Sequence, residues 1–192
     1  MLRIAALVSA AIAAGACSYA LSAHAAELGY AGQQSRPIKA LSDADIEALR
    51  NGDGMGLAKP AELNGYPGPR HVLALTRELG LDNRQIAEVT AIRDRMTATA
   101  KPLGAELIER ERVLDQLFAH GEIDPDRLRA GTAAIAELQG RLRTVHLAAH
   151  LETRSVLSAH QVIQSATLRG YASRAGSGHD HPSTHRHRSA SV

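Results

Sequence analysis

The sequence predicts an all-α protein built on a long bent antiparallel helical hairpin with short flanking helices. Three observations predict it. The chain is rich in Ala, Leu, Arg and Glu, with aromatics at only 3% of its 192 residues, a composition that favours helices over strands. One helix-start device recurs three times. Two long stretches then carry apolar residues every seven positions, the stripe of helices packed side by side.

The N-terminal 25 residues read as a secretory signal. Arg3 supplies the positive start, Ile4 to Ala16 the apolar run, and Ala23-His24-Ala25 the small-x-small cleavage pattern. The run is shorter than the about 20 residues a spanning helix needs. Cleavage after Ala25 delivers residues 26–192 to the periplasm, without a membrane span. Two alternatives stand beside it: lipidation at Cys17, after Ala14-Gly15-Ala16, and an uncleaved anchor from Ile4 to Ala23. Residues 26–41 are polar and Gly-containing and read as an extended segment. Cys17 is the one cysteine, so no internal disulfide can form.

The helical domain spans residues 42–171. Leu41-Ser42-Asp43-Ala44-Asp45-Ile46 places a Ser cap between apolar residues, with an acid three positions on. Leu81-Asp82-Asn83-Arg84-Gln85-Ile86 and Leu157-Ser158-Ala159-His160-Gln161-Val162 repeat the device with Gln at the third helical position. The cap oxygen accepts a free backbone N–H, and Gln reaches back to the cap's own N–H. Asp124-Pro125-Asp126 is a fourth start, with Pro where its missing N–H costs nothing. These signals predict helices over Ser42 to about Asn51, Arg70 to Leu79 with Gly80 as its cap, Asp82 to about Ala119, Asp124 to Val156, and Ser158 to Leu168. The third carries Val89, Met96 and Leu103, and Ala100, Leu107 and Leu114, at seven-residue spacing. The fourth carries Leu128, Ile135, Leu142, Ala149 and Val156, interleaved by Leu138 and Val145. So short a join between them forces an antiparallel hairpin. Pro102 inside the third helix predicts a bend near Lys101. Two such long helices enclose little core, so the surplus apolar stripe predicts a homodimer; a compact monomeric bundle is the alternative.

Charge and motifs exclude several functions. Lys and Arg total 22 against 20 for Asp and Glu, a net charge of +2, too balanced for a dedicated nucleic-acid binder. No phosphate-binding loop, nucleophile elbow or His-Glu-x-x-His motif is present, so neither nucleotide use nor an enzymatic activity is expected.

Histidines carry the chemistry that remains. His146 and His150 lie four apart on one side of a helix, a spacing that can chelate a divalent ion. Glu152 points elsewhere, so further ligands must come from His71, Glu62 or Met55. The alternative is that both are partly buried helix residues with hydrogen-bond partners, and Met96 is read as core. Residues 172–192 form a disordered His-rich tail whose His179, His181, His185 and His187 offer a loose chelator for zinc, copper, nickel or cobalt; the alternative is a solubilising, protease-sensitive tail. Arg93, Arg95, Lys101, Arg110, Arg112, Arg141 and Arg143 lie on the two long helices. They could steer acidic client segments, or form a solvated face paired with Asp94, Glu106, Glu109 and Glu111.

The Leu-x-x-x-Gln starts, together with Met55-Gly56-Leu57-Ala58, Ala61-Glu62-Leu63-Asn64-Gly65-Tyr66-Pro67-Gly68-Pro69 and His71-Val72-Leu73, carry a resemblance to a known group. Over residues 30–171 the chain resembles the Spy/CpxP family of periplasmic chaperones, in the branch of the metal-sensing relatives CnrX and ZraP. Where that family has Thr in its Leu-Thr-x-x-Gln motif, this chain has Asp82 and Ser158. The resemblance implies a hooked helical subunit pairing into a cradle-shaped dimer. It implies a protein that senses or binds heavy metal in the envelope and reports to a signalling partner, or an ATP-independent chaperone that binds unfolded client proteins. In CnrX-like sensors helix-borne histidines, a glutamate and a methionine hold the ion. The resemblance matches these to His146, His71, Glu62 and Met55 by residue type and rough position, while His150 stands where the sensor has Met.

Overall fold

A computed structural model describes residues 29–171. The segment read as a secretory signal, Cys17 and all four tail histidines lie outside them. After a 3-10 turn at Gln33–Ser35, the helices are α1 (Asp43–Asn51), α2 (Lys59–Leu63), α3 (Pro69–Ala74), α4 (Asn83–Ala119), α5 (Pro125–Val156) and α6 (Ala159–Leu168). Among the described residues the fold is all-helical, and α4 packs along α5 as the expected hairpin.

The helix starts form as local capping chemistry dictates. The side chains of Ser42, Asp82 and Ser158 each accept the backbone N–H three residues on, while Asp45, Gln85 and Gln161 reach back to complete a capping box. Asp124 accepts two N–H groups ahead of Pro125. Two of these boxes also grip each other. Gln85 Nε2 donates to Gln161 Oε1 at 2.9 Å and Gln161 Nε2 returns the bond to Gln85 Oε1 at 3.1 Å. Their remaining N–H groups take the carbonyls of Val156 and Leu79. The two starts of the Leu-x-x-x-Gln type thus clamp α4 to α6 with every amide proton used, which makes burying them affordable.

Two clusters of apolar side chains hold the elements together. Leu49, Ala100, Leu103, Leu107, Ile135, Leu138 and Leu142 fill the space between α1 and the hairpin. Val72, Leu79, Val89, Leu157 and Val162 join α3, α4 and α6. α1 approaches α4 closely because Gly104 has no side chain: a Cβ there would lie 2.2 Å from the Leu49 carbonyl oxygen. At the other end of the hairpin Gly121, at φ +67, closes α4 in a left-handed turn that a β-carbon would strain.

Several expectations are corrected. The helix predicted over Arg70 to Leu79 stops at Ala74. Thr76 Oγ1 bonds the Leu73 carbonyl at 2.7 Å, a local bond that competes with helix continuation. A separate turn then closes at Gly80 through Leu81 N to Thr76 O and Gly80 N to Arg77 O. α2 is an element the sequence reading did not anticipate. The segment read as extended and loose buries Ile38 to 4% exposure. Lys39 ties it to α4, donating from both its backbone N and Nζ to Asp115 at 3.1 Å. Met96, read as core, is half-buried and lines a cleft, and Leu128, placed on the stripe, is exposed. α4 runs as one helix through Pro102. The carbonyl that loses its partner belongs to Ala98, on an exposed turn where water can take it.

Candidate metal centre

The segment between α2 and α3 builds one side of the site. Gly65 turns the chain at φ +81, and Tyr66-Pro67-Gly68-Pro69 then runs against α5 with Pro67, Gly68 and Pro69 buried. The two prolines preset an extended path into α3, where Pro69 occupies the first helical position. Gly68 is held against His150: a Cβ there would lie 2.7 Å from His150 Nε2 and 3.4 Å from Glu62 Oε2.

Glu62 is the organising group. Its side chain is 9% exposed, and burying a carboxylate is costly unless every oxygen is served. Gly68 N–H donates to Oε2 at 2.9 Å and His71 Nδ1 donates to Oε1 at 2.8 Å. Arg169 Nε lies 3.5 Å from Oε1, and His150 Nδ1 lies 3.6 Å from Oε2. His150 gives its Nδ1 proton to the Tyr66 carbonyl at 2.7 Å. Carboxylate and carbonyl oxygens only accept, so both histidines carry the proton on Nδ1 and keep Nε2 as the basic nitrogen. A carboxylate or carbonyl holding Nδ1–H is how metal-ligating histidines are oriented and made more basic.

Glu62, His71 and His150 line a cleft of about 730 Å³ together with Met55, Met96 and Tyr171. Met55 sits in the left-handed region at φ 45, between Gly54 and Gly56. Asp53 forms an ion pair with Arg70 at the rim. The structure therefore brings together Glu62, His71 and His150 and sets Met55 on the lining of the same cleft. His146, one turn away on α5, does not line the cleft. It is 3% exposed, packs beneath Gly54, and its Nε2 is buried with no hydrogen-bond partner among the described residues. Burial pushes its pKa below the ordinary 6.5, helped by His150 and Arg70 and opposed by Asp53. It is thus a neutral imidazole at neutral pH. Among the described residues no group of three or more His, Cys, Asp or Glu is placed to hold an ion.

The cations on the long helices are mostly engaged in ion pairs with nearby acids. Arg93 pairs with Asp94, Arg95 with Glu152, Arg110 with Glu106, Arg112 with Glu109 and Arg141 with Glu137. Lys101 and Arg143 are exposed and have no ion pair among the described residues. Glu111 takes none of these cations; burial raises its pKa.

Sequence reasoning missed Met96, Arg169 and Tyr171. Met96 follows the core spacing, so periodicity alone places it inside. Arg169 meets Glu62 across more than a hundred residues of chain, and no local motif announces that. The Pro67-Gly68-Pro69 run was the one signal that a rigid wall crosses this helix face.

A family model described as heavy-metal resistance matches residues 55–164, from the Met55 turn through most of α6. No curated protein and no solved structure matches the chain.

Proposed function

The chain belongs to the heavy-metal resistance family, and from that premise we propose that it binds a divalent transition-metal ion in the cleft through His71 and His150. One observation carries this reading: both rings line the cleft with Nδ1–H committed to a fixed acceptor, so that Nε2 is the nitrogen left to ligate, in His150 beside the backbone of Gly68. Glu62 orients His71 and neutralises charge at the site. The thioethers of Met55 and Met96 line the same cleft as soft donors, and His146 is a neutral imidazole one helical turn away. Imidazole with thioether suits zinc, copper, nickel or cobalt rather than magnesium or calcium. In the cell this is a periplasmic metal-binding or metal-sensing protein of the Spy/CpxP type. It acts as a homodimer and reports to an envelope signalling partner.

Titration of the full chain, and of a chain ending at Tyr171, with each of the four ions tests the reading. The shortened chain is expected to bind still, and His71→Ala and His150→Ala to weaken binding by about tenfold or more, the loss typical when a metal's ligand shell is disturbed. Loss of all binding on removal of the tail would overturn it.

ATP-independent capture of unfolded proteins is a second reading. Val113, Phe118 and Leu128 expose apolar surface near the hairpin turn, on the helices that carry the arginines. Suppression of aggregation of a heated client at stoichiometric protein supports this activity, and its absence removes it.

A further inference from the structure

Glu62 is touched by a cation, Arg169, to which metal binding by His71 and His150 gives no role. Arg169 is the C-cap residue of α6, where a positive charge suits the helix end. The turn beyond it is tight. Gly170, at φ +71, donates to the Thr167 carbonyl, and Tyr171 N–H donates to the Ala166 carbonyl at 2.8 Å. Tyr171 then holds the guanidinium in place: its hydroxyl accepts from Arg169 Nη2 at 2.7 Å, and its ring centre lies 5.3 Å from the guanidinium carbon. So fixed, Arg169 keeps its Nε 3.5 Å from Glu62 Oε1.

That oxygen is the one that also accepts the Nδ1–H of His71, at 2.8 Å. A carboxylate behind an imidazole strengthens the other ring nitrogen as a ligand, because the N–H proton is drawn toward the negative oxygen. A guanidinium on the same oxygen offsets part of that negative charge. An ion on His71 Nε2 acts from the opposite side of the ring. It makes Nδ1–H a stronger donor to Oε1 and repels the guanidinium. The Glu62 side chain is 9% exposed and that of Arg169 31%, so solvent screens this opposition less than at an open surface. The opposition is reciprocal: by whatever factor Arg169 weakens the ion, the ion weakens the hold of Arg169 on Glu62.

We propose that Arg169 sets the metal affinity of the cleft, acting through Glu62 on His71 as an antagonist of the bound ion. This rests on the metal-binding reading above. Arg169 is a positioning residue, not a ligand. Two other cations that line the cleft differ from it: Arg70 is paired with Asp53 and Arg93 with Asp94, acids that are hydrogen-bonded to neither His71 nor His150.

Cobalt(II) titration of the full chain, followed by calorimetry and by the visible absorption of the ion, tests this role. His71→Ala identifies the cleft ion as the one whose binding it removes. The set is then wild type, Arg169→Gln, Arg93→Gln, Glu62→Gln, and Arg169→Gln combined with Glu62→Gln. Arg169→Gln is expected to hold the cleft ion about tenfold more tightly, as a change in the groups behind a ligand does; loss of a merely structural contact would weaken it. Arg93→Gln is expected to stay within about threefold of wild type, because its charge is screened at the rim. Arg169→Gln is expected to add nothing once Glu62 is Gln. If circular dichroism shows that Glu62→Gln loses helix, the Arg93 comparison alone decides. A cleft ion bound no more tightly by Arg169→Gln overturns the role of Arg169 and leaves the metal-binding reading intact. An equal gain in Arg93→Gln, or a gain that persists without the Glu62 carboxylate, also overturns it. Cobalt binding unchanged by His71→Ala sinks both.

Discussion

A methyl group added at Gly68 would lie 2.7 Å from His150 Nε2 and 2.8 Å from its Cε1, closer than real contacts allow. The neighbouring prolines prevent the backbone from giving way, so the ring must move, and with it the bond to Tyr66. Gly68→Ala is therefore expected to destabilise by about 1–3 kcal/mol, as overpacking does, and to lower metal affinity at least as far as His150→Ala does. Denaturant unfolding and ion titration check the two effects separately; a variant of wild-type stability and affinity would contradict the packing. His146 makes a prediction in pH. Its pKa is depressed in the folded protein by burial first, then by His150 and Arg70, with Asp53 pulling the other way. The unfolded chain then binds the proton more readily, so stability is full above the ordinary value of 6.5 and falls as pH drops below it. Unfolding of the metal-free protein between about pH 5 and 7 should show this slope, and His146→Leu should flatten it. A slope unchanged in His146→Leu assigns the acid sensitivity to other groups.

At the scale of elements, Gly104 decides how near α1 can come to α4. The atom a Cβ would strike is the Leu49 backbone oxygen at 2.2 Å, with the carbonyl carbon at 2.9 Å. Neither is the far end of a flexible side chain, so relief requires moving α1 and opening the cluster of Leu49, Leu103 and Leu107. Gly104→Ala gains about 1 kcal/mol in helix propensity but should lose more than that in packing, for a net cost of about 1–3 kcal/mol. A rise in unfolding midpoint would show that α1 does not sit there in solution. The helix starts were readable in the sequence because a cap, its acid or amide partner and the flanking apolar pair are all local. The ends were less so. α3 was overrun because its apolar spacing continues to Leu79, while the Thr76 bond that diverts the chain is a matter of rotamer choice. Gly104 itself reads as a helix-weakening residue until the crossing of α1 shows what it is for.

For the whole molecule, the hairpin was legible because a seven-residue stripe on two long helices with a short join permits few other packings. The centre was legible only in part. Residue type singled out Glu62, His71 and His150, but not that Glu62 lies between the two rings, that His146 packs beneath Gly54 outside the cleft lining, or that Arg169 reaches Glu62. Those follow from contacts between distant parts of the chain. Most of the stripe is spent within the subunit, on Leu103, Leu107, Ile135, Leu138 and Leu142. What stays exposed near the hairpin turn is Val113 at 42%, Phe118 at 57% and Leu128 at 40%, contributed by both arms. If this patch is where two copies meet, removing its apolar groups costs the isolated subunit little, since exposed substitutions shift stability by about 0.5 kcal/mol or less. Phe118→Ser with Leu128→Ser should then convert a sedimenting dimer to a monomer while leaving the monomer's helix content unchanged. A wild-type chain that sediments as a monomer at tens of micromolar would refute self-pairing, and a double variant that stays dimeric would move the interface elsewhere.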